Sequence, residues 1–144
     1  MNILKQTEKY GIPVTLTNKQ FLDIFYTLQE TRSVKGVRYA MIVIKNSEVI
    51  AEHLKELDEM SKPSEEFIQL SLKAQELIKA QDTEGLEKLE AENAKVVEAR
   101  KSQMDFVNEK MAEEATLELK LIPEAILPQD ITAEQIEKLM PIIQ

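Results

Sequence analysis

The sequence predicts a mainly α-helical fold: a helical hairpin or small bundle with one long coiled-coil-like helix, locked by a two-stranded sheet of N- and C-terminal segments. Three observations lead there. Apolar residues recur at three- and four-residue steps over most of the chain. Only 3 Gly and 5 Pro in 144 residues leave few turns, which argues against a sandwich or barrel of many short strands. Just two stretches, residues 12–16 and 117–121, read as extended. At this length a single domain over residues 1–144 is expected, with helices at 18–31, 37–60, 64–81, 86–114 and 133–140.

Residues 1–11 form a short polar lead-in. In the IPVTL segment that follows, Pro13 marks an edge or a strand start. Thr17 and Gln20 have the spacing of a capping box, so a helix begins there, with Phe21, Leu22, Ile24, Phe25 and Leu28 on a wide apolar face. The stretch 33–36 is the joint to the helix around which the chain is organised, residues 37–60. Its opening run, Tyr39 to Ile44, has no charge, and it thins afterwards to Val43, Ile50, Leu54 and Leu57. That pattern predicts a helix buried all round at its start and one-sided at its end. On composition alone the run would pass as a buried strand; the helical spacing beyond Asn46 and the lack of a turn signal before Val49 decide for helix.

Ser61-Lys62-Pro63-Ser64 ends that helix and starts the next, whose first turn holds Glu65 and Glu66 and whose face is Phe67, Leu70, Ala74, Leu77 and Ile78. Asp82, Thr83 and Gly85 mark either a turn or a weak point in a longer helix. From residue 86 a long helix carries a seam of Leu86, Glu90, Asn93, Val97, Arg100, Met104, Val107 and Met111 at coiled-coil steps. Glu90, Asn93 and Arg100 make that seam too polar for full burial within one chain. Val97, Arg100, Met104, Val107 and Met111 are therefore the candidate interface residues, although Met104 and Met111 suit a core as well as a partner. Beyond Ala115 the period becomes two, with Leu117, Leu119 and Leu121 on one side, and residues 12–16 are the available pairing partner. PEAILP is a tight connector, and a second capping box, Thr132 with Gln135, opens a closing helix.

A net charge of −8 repels phosphate backbones and anionic lipid, so neither nucleic acid nor a membrane surface is an expected partner. Mimicry of DNA by carboxylates would need paired rows, which Lys residues interrupt here. With no cysteine, disulfides, thiolate catalysis and thiolate zinc sites are excluded together. No stretch approaches the ~18 apolar residues of a membrane span, and residues 1–10 lack a signal-peptide core. His53 stands alone, without the second His of a zinc-protease helix or the Glu three residues earlier of a di-iron bundle. The Glu clusters at 84–98 and 56–59 read as solvated helix faces, and no glycine-rich loop cradles phosphate. Arg32, Lys35, Arg38 and Tyr39 make one small basic-aromatic group, read as cations at the negative end of the first helix, with an anion or nucleotide site as the alternative. No catalytic residue, metal site or cofactor is expected, and the chain reads as non-enzymatic.

The order of elements adds one pointer. Leu16-Thr17-Asn18-Lys19, Tyr39-Ala40 with Lys45-Asn46, Leu117-Glu118-Leu119, and the Ile122-Pro123 and Ile131-Thr132 pieces stand in an order that resembles a family of short proteins of tailed bacteriophages and prophages, a domain of unknown function. The resemblance covers most of the chain, least so between residues 65 and 92, and brings no catalytic residue with it. It implies a phage-encoded protein. The expectation is an accessory or structural component, self-associating or bound to other phage structural proteins, located in the virion or in the host cytoplasm during infection. An inhibitor of a host defence protein is the alternative.

Overall fold

A computed structural model describes residues 11–144. The expected polar lead-in, Gly11 apart, lies outside the described residues. Among the described residues the fold is mainly helical, with 71% of them in helix, six α-helices and one two-stranded antiparallel sheet. In order these are β1 (Ile12–Thr17), α1 (Asn18–Glu30), α2 (Val37–Ser61), α3 (Glu65–Lys79), α4 (Thr83–Glu92), α5 (Ala94–Ala112), β2 (Glu114–Leu119) and α6 (Ala133–Leu139). Short 3-10 turns at Glu124–Ile126 and Met140–Ile142 flank α6. The described residues form two compact units. The first comprises residues 11–56 with 111–144, the second Leu57–Lys110.

In the first unit β1 pairs with β2 from Ile12 opposite Leu119 to Thr17 opposite Glu114. The second strand thus begins three residues before the expected start at 117. Two contacts account for the shift: the Thr15 and Thr116 hydroxyls bond across the strands at 2.7 Å, and the Asn18 N–H donates to the Glu113 carbonyl at 3.0 Å. Leu121, expected on the strand, lies beyond it. Both capping boxes form. The Thr17 side chain accepts from the Gln20 N–H while the Gln20 side chain accepts from the Thr17 N–H, and Thr132 with Gln135 repeats the arrangement. Helix α6 packs against α1, joined at the surface by a bond from Gln135 Nε2 to Glu30 at 3.1 Å. The core consists of Val14 of β1, Phe21, Ile24 and Leu28 of α1, Tyr39, Val43, Ile50 and Leu54 of α2, Leu119 of β2, and Ile122, Leu139 and Ile142 near the end of the chain.

The second unit is thinly cored. Among the described residues, Leu70 and Val107 are its buried apolar side chains. The helix expected over 86–114 is two helices meeting at Asn93, so this residue is a joint and not a seam position. Its N–H and its Nδ2 both donate to the Leu89 carbonyl, at 3.1 and 2.9 Å, and its own carbonyl accepts from Val96 and Val97 as α5 starts. An Asn side chain that competes for a carbonyl one turn back favours such a stop. Asp82 likewise caps α4, its Oδ1 accepting from the Gly85 N–H at 2.9 Å.

Helix α3 ends in a Schellman turn: the Asp82 N–H reaches the Leu77 carbonyl and the Gln81 N–H the Ile78 carbonyl, with Gln81 at φ 56°. A left-handed residue with a Cβ costs roughly 1–2 kcal/mol, and glycine returns part of that as chain entropy. Gln81→Gly is expected to raise stability by about 0.5 kcal/mol, read as a higher urea midpoint at unchanged slope. A lower midpoint would show that the Gln81 side chain is itself required.

Candidate functional site

Among the described residues no constellation of reactive side chains presents itself, so the candidate sites are surfaces, and α2 supplies the first. Its inner side follows helical steps: Tyr39, Val43, Asn46, Ser47, Ile50 and Leu54 are buried. Polar pairs tie this side antiparallel to α1. At one end the Thr31 hydroxyl and the Tyr39 phenol lie 2.7 Å apart; midway Gln29 Nε2 donates to the Ser47 hydroxyl; at the other end His53 Nε2 donates to Asn18 Oδ1 at 2.7 Å. His53, the solitary histidine, is an exposed helix residue whose ring also meets Phe21 edge-on.

The Thr31 hydroxyl also lies 3.1 Å from the Leu28 carbonyl and 3.3 Å from the Thr27 carbonyl, so the phenol meets an enclosed polar group. Burial pushes the Tyr39 pKa above its ordinary 10.0, and the bond to Thr31 offsets part of that. Because the folded pKa is raised, the unfolded chain releases this proton first as pH rises. The associated stability is fully present below about pH 10 and declines above it. The Tyr39→Phe variant should lose this part of the alkaline decline, with its urea midpoint falling less steeply above pH 10 than the wild type's. Identical slopes would remove Tyr39 as the titrating group.

The outer side of α2 is where expectation and structure part. The start of the helix is not buried all round: Val37 is 81% exposed, Met41 48% and Ile44 44%. These residues stand at i, i+4 and i+7, so they form one stripe along the helix. The stripe is rimmed by the exposed cations Lys35, Arg38 and Lys45. Arg38 occupies the first turn of α2, the positive end of that helix, while Arg32, just past the end of α1, donates to Gln29 Oε1 at 2.9 Å.

Within the second unit α3 is also apolar on two sides. Leu70 is buried with Phe67, Ala74 and Leu77 half-buried beside it, whereas Ile68 and Leu72, the latter 51% exposed, face away. Ile68 and Leu72 were not singled out in the sequence because the Phe67–Leu70–Leu77 face already accounted for a one-sided helix. Their i, i+4 spacing was the available signal.

The five candidate interface residues separate. Val97 is exposed, Met104 and Met111 are half-buried, and Val107 is buried within the chain and so not at the surface. Arg100 is engaged internally: its guanidinium donates to the Ser61 carbonyl at 2.8 Å and to Gln103 Oε1 at 3.1 Å, and lies 5.4 Å from the centre of the Phe67 ring. Gln103 Nε2 donates to the carbonyls of Met60 and Lys62. These donors close the free carbonyls at the end of α2, which is how a polar seam residue is accommodated without a second chain.

An open groove of about 360 Å³ runs between Leu70, Leu89 and Val96, with Glu65, Glu66 and Lys73 at its edge. A smaller depression of about 240 Å³ lies among Gln20, Asp23, Glu137, Lys138 and Pro141. Among the described residues no group of three or more His, Cys, Asp or Glu side chains is placed to hold a metal ion, and no helix is long and apolar enough to cross a membrane. Comparison with protein-family models, with curated proteins and with solved structures finds no match.

Proposed function

We propose that the chain is a non-enzymatic bacteriophage accessory or structural protein that works through protein–protein contact, including contact with further copies of itself. The phage assignment rests on the resemblance in motif order described above. The contact role is carried by one observation: apolar stripes at helical spacing on α2 and α3 are left in solvent. Lone exposed apolar residues are ordinary, but aligned ones on the outer sides of two helices have the form of helix-docking faces. The thin core of the second unit supports the same reading, since helices with little to bury internally gain most from a partner.

Proteomics of purified phage particles tests the assignment. Peptides of this chain are expected at the abundance of a particle component. Absence from particles, together with strictly monomeric behaviour of the pure protein, would overturn it. Recovery with a host protein from infected cells, and not with particles, would replace it with an inhibitory role.

A further inference from the structure

We propose that the exposed stripe of α2 docks the outer side of α3 of a second copy of this chain, the two helices lying antiparallel. The proposal rests on the self-association reading above and names the two faces that would carry it. Its basis is a match of charge and of axial spacing between two exposed apolar stripes.

Consider first the charge. Residues 31–47 contain Arg32, Lys35, Arg38 and Lys45 and no acidic residue, in a chain whose net charge is −8. Two α2 stripes placed face to face would oppose like charges, so a symmetric contact through this surface is unfavourable. An acidic, apolar-striped helix is what fits, and α3 has that composition on its outer side: Ile68 and Leu72 are bracketed by Glu65 and Glu76.

The dimensions agree. On α2, Arg38 and Lys45 bracket Met41 and Ile44 at a separation of about 10 Å along the axis; on α3, Glu65 and Glu76 are about 16 Å apart. Centred on one another, the two stripes leave about 3 Å of axial offset at each end, well within the reach of Arg and Lys stems. Arg38 and Lys45 lie to the same side of their stripe as Glu65 and Glu76 do of theirs, and same-side flanks meet when helices pair antiparallel. Antiparallel docking therefore brings Arg38 towards Glu76 and Lys45 towards Glu65 while Met41 and Ile44 cover Ile68 and Leu72. Glu48, one turn past Lys45, comes level with Glu65, and Lys79, one turn past Glu76, comes level with Lys35, so each end of the contact also carries one like-charge approach that the two central pairs must outweigh.

Because the two faces differ, the contact is head-to-tail, and copies join into a ring or an open row according to whether the rotation closes. Such contacts weaken with salt, since their charges lie at the rim.

Sedimentation velocity of the full chain over a wide concentration range, at low and at high salt, provides the test. The wild type should self-associate, more strongly at low salt. Two double variants discriminate: Arg38→Glu with Lys45→Glu, and Glu65→Lys with Glu76→Lys. Each alone should weaken association by roughly tenfold or more, and mixing the two should restore it, because each supplies the partner the other lacks. Met41→Asp should weaken association without any rescue by mixing, and far-UV circular dichroism confirms that each variant is folded. Wild-type association unaffected by all three variants would overturn this docking mode and leave the broader contact reading intact. A strictly monomeric wild type overturns the mode as well, and removes the broader reading too only if particles also lack the protein.

Discussion

Removing residues 129–144 is expected to abolish the cooperative unfolding of the unit built from residues 11–56 and 111–144. The deleted piece contains Leu139 and Ile142, both without solvent exposure. Burial of each contributes about 1.5–3 kcal/mol. It also supplies backbone partners for a residue that remains: the Ile122 N–H donates to the Ile142 carbonyl at 2.7 Å, and the Ile122 carbonyl accepts from the Gln144 N–H at 2.9 Å. Ile122 is itself fully buried, so the cut would leave its polar backbone facing apolar surroundings. Helix α1 would lose the packing of α6 at the same time. Together these losses are comparable with the whole stability of a small domain, about 5–15 kcal/mol. The truncated chain should show a broad, non-cooperative urea transition, reduced helical signal and dye binding to exposed apolar surface. An unaltered melting curve would mean that the C-terminal segment is not part of this core.

The second large effect is expected at Asn46. This side chain is 1% exposed at the middle of α2, and it treats Lys120 as a neighbouring strand would: Oδ1 accepts from the Lys120 N–H at 2.8 Å and Nδ2 donates to the Lys120 carbonyl at 2.9 Å. Primary amides have the same donor and acceptor geometry as the peptide group, so Asn can close a strand end in this way. Asn46→Ala removes both bonds at roughly 1–3 kcal/mol each and leaves a void, for a total of about 3–5 kcal/mol. Asn46→Asp keeps the acceptor but sets a carboxylate against the Lys120 carbonyl, and should be nearly as damaging. Both are measured by urea denaturation, where a change below about 1 kcal/mol for Asn46→Ala would show that the pair contributes little.

Much of this organisation was legible from local chemistry. The capping boxes at Thr17 and Thr132, the Pro63–Ser64 break before α3 and the pairing of the two extended segments follow from residue types at short spacings, which act through backbone groups within reach of a single turn. The position of β2 was shifted because its first residues, Glu114, Ala115 and Thr116, have no apolar alternation and are held by their partners on β1. The long helix of residues 86–114 was overextended for a related reason. Asn93 fits a coiled-coil step as well as a helix stop, and its bond to the Leu89 carbonyl settles which it is.

The surfaces divide in the same way. The sequence by itself determined that α2 opens with apolar residues all round and that α3 has a main face, because periodicity depends only on the helical repeat. Tertiary structure alone decided which of those residues are covered. Helix α1 engages the side of α2 that carries Tyr39 and Ser47, the Lys120 backbone takes up Asn46, and the stripe of Val37, Met41 and Ile44 is left in water. Packing partners, not composition, also turned Arg100 from a polar flaw in a seam into a cap on the Ser61 carbonyl. A hydrophobic pattern states how much a helix has to bury; what buries it depends on contacts between residues far apart in the chain, and those are fixed only when the chain is folded.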